Sequence, residues 1–180
     1  NLKNNNWSKQ MGSLLSGKTL GIIGLGTIGK TLIRLSKGFN FKFFAYDIKK
    51  DKKFSKAHGL VYVTLEKLLS ESDIVSIHLD LNEHTKNLLN SNNLKLLKPS
   101  SIIINTSRGG IVNEKYLFKL LKNNLIAGAG LDVFEIEPYS GNLKILNNVI
   151  LTPHIGSYAL ELRAKMEEES VLNLIEALNE

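Results

Sequence analysis

A glycine-rich turn near the start of the chain limits most strongly what this sequence can fold into. Gly24, Gly26 and Gly29 lie at the junction of an apolar run at 19–24 and a segment at 27–37 whose apolar residues have helical spacing. Glycines at these positions allow a tight turn, close approach of the backbone to a pyrophosphate, and close packing of helix on strand. The N–H groups at the helix start would then face the phosphates. The sequence therefore predicts a strand–turn–helix unit that binds a dinucleotide.

Short apolar segments alternate with helical patterns along the rest of the chain. Strands that are apolar throughout and alternate with helices are typical of a parallel sheet covered on both faces. We therefore predict an α/β fold, a doubly wound parallel sheet that occupies residues 1–180 as one dinucleotide-binding domain. The predicted strands are 19–24, 41–46, 60–63, 74–79, 101–105, 126–133 and 149–151. The predicted helices are 27–37, 65–69, 91–98, 114–123 and 156–178, with Thr64, Ser91 and Asn113 as N-caps.

Composition excludes several other classes of protein. With 43% hydrophobic and 22% charged residues, the chain is too apolar to be disordered. No apolar run approaches the roughly 18 residues that span a bilayer. The sequence has no cysteine, which excludes disulfides and thiolate metal sites, and we predict a cytoplasmic protein without a metal. The polar start carries no leader pattern, and the missing initial Met leads us to expect that the chain was cut from a longer one.

The net charge of +6 comes almost entirely from lysine, because only Arg34, Arg108 and Arg163 among the 23 basic residues are arginines. A nucleic-acid surface would show denser basic clusters with aromatic residues between them, and only 49–56 comes close. The charge therefore favours a solvated lysine surface and neither a nucleic-acid nor a membrane partner. The competing interpretation, a nucleic-acid-binding protein, predicts binding that falls steeply with salt.

Asp47 lies at the end of the second predicted strand, near the interval after the glycine turn at which a carboxylate holds an adenosine ribose. A carboxylate there would repel a 2′-phosphate, which favours NAD over NADP. Lys49 and Lys50 follow closely and would soften that repulsion. The sequence therefore predicts NAD as the cofactor, with NADP the less favoured alternative.

Ionisable side chains follow three later strands, at the edge where ligands bind in open α/β sheets. Arg108 stands in an Asn-Thr-Ser-Arg-Gly-Gly loop, and its planar guanidinium suits a carboxylate. Asp132, Glu135 and Glu137 follow the sixth strand, and His154 follows the last one. A histidine that meets a carboxylate forms a general acid–base pair. Spacing alone leaves other roles open: a helix cap for Asp132, a solvated loop for both glutamates and a packed strand end for His154.

Taken together, these segments resemble the NAD-dependent D-isomer-specific 2-hydroxyacid dehydrogenases, and phosphoglycerate dehydrogenase-like members in particular. The resemblance runs from Trp7 to the final helix and implies a Rossmann-type dinucleotide-binding domain. Besides the glycine turn, it rests on the segments 72–78, 97–114, 130–134 and 152–157.

The resemblance implies roles for individual residues. Arg108 corresponds to the arginine that binds the substrate carboxylate and keto oxygen, and Glu137, directly before a proline, to the partner of the catalytic His154. Glu135 falls on a variable position and receives no role. Asp132 corresponds to a contact of the nicotinamide carboxamide. The implied cofactor-binding residues are Gly24, Gly26, Thr27, Ile28, Gly29, Asp47, His78, Thr85, Thr106, Ser107, Asp132, His154 and Gly156.

The sequence departs from the family pattern at two places. Thr27 stands where the family usually has a basic residue, and 79–80 follow His78 where the family usually has a proline after one residue. We expect weaker cofactor binding at most. His78 is interpreted as structural or cofactor-side, and His58 and His84 as surface residues.

The resemblance also implies partners and leaves one alternative open. The substrate would be a small 2-hydroxy or 2-keto acid, and its domain would lie in segments outside this chain, so that residues 1–180 alone would bind NAD with little turnover. A homodimer through this domain is expected. The alternative is a dinucleotide-sensing scaffold, since some relatives act as corepressors and can keep the same catalytic residues.

Overall fold

The computed structural model of the protein describes residues 7, 9 and 11–179, so the polar start at 1–6 lies outside the described residues. Its strands are β1 (Thr19–Ile23), β2 (Lys42–Tyr46), β3 (Leu60–Tyr62), β4 (Ile74–Ile77), β5 (Ile102–Asn105), β6 (Gly128–Leu131) and β7 (Val149–Leu151). They form one seven-stranded sheet in the order β3-β2-β1-β4-β5-β6-β7. Every pairing in it is parallel. The predicted doubly wound α/β fold is confirmed, although β4 and β6 are shorter than the predicted 74–79 and 126–133.

Helices connect most of the strands. The α-helices are α1 (Thr27–Ser36), α2 (Lys52–His58), α3 (Leu65–Glu71), α4 (Ser91–Leu94), α5 (Glu114–Lys122) and α6 (Leu160–Asn179). Two predicted N-caps are confirmed: the Thr64 side chain accepts a hydrogen bond from the backbone of Lys67, and Asn113 accepts one from Tyr116. Among the described residues, no helix is both long and apolar enough to cross a bilayer.

Two apolar clusters cover opposite faces of the sheet, because successive side chains of a strand point to opposite faces. Leu20 and Ile22 of β1 pack in one cluster with Ile33 of α1. Ile23 of the same strand packs in the larger cluster with Leu117 of α5. Full burial of one such side chain stabilises the fold by about 1.5–3 kcal/mol. The sheet is therefore a well-packed support for the loops at its edge.

The boundaries predicted for α4 were wrong. Its N-cap is Asn90 rather than Ser91, because the Asn90 side chain accepts hydrogen bonds from the backbone N–H groups of Asn92 and Asn93. The helix ends at Leu94, before the predicted end at residue 98.

The start predicted for α6 was also wrong. The helix begins at Leu160 rather than at Gly156. The N–H groups of Ile155 and Gly156 instead donate to the carboxylate of Asp132, at 2.9 and 3.0 Å. Because this contact comes from another strand end, no local pattern could have indicated it.

Helix α2 was not predicted, because only Phe54 of its residues is buried and its lysines resemble a charged surface segment. Asp51 begins the helix by accepting a hydrogen bond from the Phe54 N–H at 2.9 Å, and Gly59, with φ of +62°, ends it. His58 is half-buried rather than on the surface as predicted, and its ring packs edge-on against Phe54 with centroids 4.1 Å apart. His84 is exposed, as predicted.

The carboxyl ends of the parallel strands meet at one edge of the sheet. The chain runs outward from β1 to β2 and β3 on one side, then returns to β4 on the other side and continues to β7. Ligands of open α/β sheets bind at the carboxyl edge where the order reverses in this way. All the predicted site residues lie in loops at this edge or at the start of α1.

Candidate functional site

The glycine turn joins β1 to α1 at the reversal point. Gly24 has φ of +92°, and a Cβ there would lie 2.4 Å from the carbonyl oxygen of His78. A Cβ on Gly29 would lie 2.6 Å from the carbonyl oxygen of Gly24. By contrast, nothing lies within 4 Å of the Cβ position of Gly26, the N-cap of α1, where no side chain caps the helix. The first turn of α1, which includes the exposed Thr27 and Ile28, is thus open to an anion.

Asp47 follows β2 and ties this strand end to the glycine turn. Its Oδ2 accepts a hydrogen bond from the Leu25 N–H at 2.6 Å, and its Oδ1 accepts one from the Lys49 N–H at 2.7 Å. A shallow cavity of about 960 Å³ lies beside it, and Tyr46 and Lys50 also contribute to the lining. The carboxylate is therefore held next to open space, where it can meet a ribose.

The loop after β4 forms the other wall of the reversal point. His78 Nε2 lies 2.9 Å from Ser76 Oγ, and burial lowers the pKa of His78, which favours the neutral ring. Thr85 Oγ1 accepts from the Asn82 N–H at 2.8 Å and donates to the carbonyl of Asp80 at 2.6 Å. These contacts within the protein give His78 and Thr85 structural roles in the loop after β4.

Asn105 organises the loop that carries Arg108. Its side chain is buried, its Oδ1 accepts from both the N–H and the hydroxyl of Ser107, and its Nδ2 donates to the carbonyl of Arg108 at 2.9 Å. Thr106 and Arg108 are exposed, and Arg108 Nη1 donates back to the carbonyl of Ser107 at 2.7 Å. In the described part of the chain, Arg108 forms no ion pair. Its guanidinium is thus presented to solvent from a rigid loop.

Asp132 holds the loop after β7 that carries His154. The Asp132 side chain is buried and accepts from the Thr152 hydroxyl at 2.5 Å and from the N–H groups of Ile155 and Gly156. Burial alone would raise the pKa of Asp132, but these hydrogen bonds outweigh it and lower that pKa. His154 has φ of +53°, which non-glycine residues seldom adopt. The carboxylate of Asp132 therefore fixes the backbone on the far side of a strained histidine.

His154 and Glu137 meet although they are far apart in sequence. His154 Nδ1 lies 2.8 Å from Glu137 Oε2, while Glu137 Oε1 accepts from the Phe134 N–H at 2.9 Å. The hydrogen bond with His154 and then that from Phe134 lower the pKa of Glu137. Both side chains are partly exposed, beside a cavity of about 590 Å³ that Leu151 and Pro153 also line. The pair can exchange a proton with a small molecule in that space.

Two residues without a predicted role shape this site, Asn105 and Thr152. Asn105 begins the Asn-Thr-Ser-Arg-Gly motif, and a polar residue at the end of an apolar strand is the signal that could have indicated its loop-organising contacts. Thr152, directly before Pro153, carries the hydroxyl that donates to Asp132. No local signal reveals that contact, because its partner follows a different strand. Among the described residues, no cluster of His, Asp or Glu could hold a metal ion.

Comparison with known proteins assigns this arrangement to a family. Residues 1–156 match the model described as "D-isomer specific 2-hydroxyacid dehydrogenase, NAD binding domain". The chain belongs to this family. It therefore carries the NAD-binding domain of a D-2-hydroxyacid dehydrogenase-type protein.

Individual members of the family align over nearly the whole chain. The chain is 47% identical over 166 residues to a glyoxylate reductase of Thermococcus litoralis, which covers 92% of this chain and 50% of that protein. The D-lactate dehydrogenase of Aquifex aeolicus complexed with NAD and lactic acid superimposes with a TM-score of 0.88 at 32% identity, covering 98% of this chain and 59% of that one. An acyclic imino acid reductase in complex with NADPH and D-Arg superimposes with a TM-score of 0.87 at 33% identity, covering 99% of this chain and 57% of that one. The chain thus spans about half the length of the relatives it matches.

Replacing Asp132 by Asn is expected to destabilise the fold by about 1–3 kcal/mol at neutral pH, because the amide leaves one of three partly buried donors without an acceptor. The pKa of Asp132 is lowered in the folded state. Its stabilising contribution is therefore present above the unfolded value of about 4 and is lost as the pH falls below it. Urea unfolding of both proteins over a pH series measures this. A difference in unfolding free energy that stays constant as the pH falls would contradict the prediction.

Proposed function

We propose that this chain is the cofactor-binding and catalytic part of an NAD-dependent D-2-hydroxyacid dehydrogenase, which interconverts a 2-keto acid and the D-2-hydroxy acid. The observation that carries the proposal is the 2.8 Å contact between His154 Nδ1 and Glu137 Oε2 at the same sheet edge as the open glycine turn. A paired histidine beside a dinucleotide site is the arrangement that proton transfer coupled to hydride transfer requires. The remaining substrate contacts would come from segments outside residues 1–180.

In this mechanism His154 moves a proton at the substrate C2 oxygen. Glu137 occupies Nδ1 and leaves Nε2 for the substrate. During oxidation His154 takes the hydroxyl proton, and during reduction the protonated ring returns it, with Glu137 stabilising the positive charge. Arg108 binds the substrate carboxylate through paired hydrogen bonds. When bound, NAD supplies the acceptor or donor of the hydride at C2.

The residues around the reversal point fit a bound dinucleotide. Gly26 leaves open space at the uncapped start of α1, where a pyrophosphate would accept hydrogen bonds from backbone N–H groups. Asp47 would take the ribose hydroxyls and repel a 2′-phosphate, so we propose NAD as the preferred cofactor. The other proposed contacts are Gly24, Thr27, Ile28, Gly29, His78, Thr85, Thr106, Ser107, Asp132, His154 and Gly156.

The names of the relatives point to small substrates, glyoxylate and lactate among them. We extend the proposal to a small 2-keto acid such as glyoxylate, whose carboxylate suits Arg108. A homodimer is also proposed, supported by exposed apolar side chains on the described part of α6, which include Leu172, Ile175 and Leu178.

Calorimetric titration of the full-length protein with NADH and NADPH tests this function together with an assay of glyoxylate reduction. We expect saturable NADH binding, at least about tenfold tighter than NADPH because one unfavourable charge contact is worth about 1.4 kcal/mol or more. Residues 1–180 alone are expected to bind NADH with little turnover. Absence of NADH binding, or robust turnover by residues 1–180 alone, would contradict the proposal.

A further inference from the structure

Glu114 has no assigned role, yet it contacts the loop that carries Glu137. It is the first residue of α5 and is half-buried beside a cavity of about 350 Å³. Its Oε1 accepts a hydrogen bond from the backbone N–H of Glu135. Twenty-one positions separate the two residues, so this contact ties the start of one helix to the loop after another strand.

The start of α5 is itself firmly held. Asn113 caps the helix by accepting from the Tyr116 N–H at 2.8 Å, and its own N–H donates to the carbonyl of Leu89 at 3.0 Å. Leu117 on the next turn is fully buried. Glu114 therefore extends from a rigid support, and its carboxylate can act as a fixed anchor for a loop.

The peptide between Phe134 and Glu135 is held on two sides. On one side, Gly109 lies so close that a Cβ there would come within 1.8 Å of the Phe134 carbonyl oxygen. On the other side, the Glu135 N–H donates to Glu114. The preceding N–H, that of Phe134, donates to Glu137 Oε1 at 2.9 Å. This single peptide thus lies between the loop that carries Arg108 and the carboxylate that contacts the histidine.

We propose that Glu114 is a positioning residue for the proton-transfer pair. By fixing the Phe134–Glu135 peptide against Gly109, it sets where Glu137 meets His154 and how far that pair lies from Arg108. The inference rests on the proposed dehydrogenase function. It adds a residue that touches neither substrate nor cofactor and acts through a backbone N–H.

The electrostatic environment of Glu114 is consistent with a positioning role for its hydrogen bond from the Glu135 N–H. Burial raises the pKa of Glu114, and the charges of Glu135 and Glu137 raise it further, whereas the hydrogen bond from the Glu135 N–H lowers it. A carboxylate kept near two other carboxylates is unfavourable unless it makes a compensating contact. The side chain of Glu135 is exposed, so its backbone rather than its charge takes part in the contact.

Two conservative substitutions of Glu114 in the full-length protein separate the effect of side-chain length from the effect of charge. Glu114→Gln keeps an acceptor oxygen at the same distance and loses the charge, whereas Glu114→Asp keeps the charge and is one methylene too short. We expect Glu114→Asp to lower kcat for glyoxylate reduction about tenfold or more, since misplacing reacting groups by about 1 Å can cost up to ~10²-fold. Glu114→Gln is expected to retain kcat within about threefold. Neither should change the Kd for NADH appreciably, because the glycine turn follows β1, three strands away from β6, whose loop Glu114 contacts.

Amide hydrogen exchange provides a readout that is independent of activity. Exchange at Glu135 should be faster in Glu114→Asp than in the parent, and close to the parent in Glu114→Gln. Glu135→Gln is the matched control, because it removes a neighbouring charge but keeps the N–H, and it should match the parent in kcat and exchange. Equal losses of kcat in both Glu114 variants, unchanged kcat and exchange in Glu114→Asp, or a parallel loss of NADH affinity would each overturn the inference. An inactive parent would instead contradict the dehydrogenase function.

Discussion

The substitution His154→Asn in the full-length protein is expected to abolish turnover while leaving NADH binding nearly intact. General acid–base catalysis contributes on the order of 10²–10⁴-fold, and an asparagine cannot carry the proton. Asparagine is also among the residues that best tolerate the left-handed backbone seen at this position, with φ of +53°. The loss should therefore reflect chemistry rather than unfolding. Steady-state kinetics with glyoxylate and calorimetry with NADH give the two measurements.

A second histidine provides the control for this substitution. His84 is exposed, and His84→Asn should leave kcat unchanged. Retained turnover in His154→Asn would remove the central residue from the mechanism. A loss of NADH affinity as large as the loss of kcat would show that the variant had damaged the cofactor site instead.

Replacing Arg108 by Gln is expected to lower kcat/KM for the keto acid on the order of 10²–10³-fold, since truncating one partner of a hydrogen-bonded charge pair costs about 2–5 kcal/mol. The exposed guanidinium donates one hydrogen bond to Ser107 and keeps other N–H groups for a carboxylate. Arg108→Lys keeps the charge without the planar fork and should give an intermediate loss. Initial rates at varied keto acid concentration measure these effects.

The same substitution elsewhere tests whether the effect is specific. Arg34 on α1 lies over the ring of Phe54 at 5.3 Å, away from the carboxyl edge. Arg34→Gln should therefore leave kcat/KM at the parental value. If Arg108→Gln weakened NADH binding and left the KM for the keto acid unchanged, Arg108 would belong to the cofactor site.

Local sequence patterns were sufficient to predict those elements whose structure is determined by their own residues. The apolar run of β1 and the N-caps Thr64 and Asn113 were predicted because burial and capping act within a few residues. Helix α2 was missed for the converse reason. It buries only one side chain, so Asp51 and Gly59 at its ends were its sole signals.

Contacts between residues distant in sequence determine the roles of the polar side chains in the site, which local sequence patterns could not predict. Seventeen positions separate Glu137 from His154. Spacing alone left a solvated loop open for Glu137 and a packed strand end open for His154. The resemblance to a family paired Glu137 with His154. It did not indicate that Asp132 accepts hydrogen bonds from the N–H groups of Ile155 and Gly156, before α6. It also did not indicate the contact between Glu114 and the Glu135 N–H.

The alternation of strands and helices, the glycine turn that opens α1 and the similarity to a family all follow from the amino-acid sequence alone. These properties depend on side-chain periodicity and on the conformational freedom of glycine, which act over short distances. Which polar groups meet at the carboxyl edge of the sheet depends instead on the three-dimensional fold. Parallel strands bring together the ends of segments that are distant in sequence, and hydrogen bonds between those ends then set the backbone of His154 and the position of Glu137.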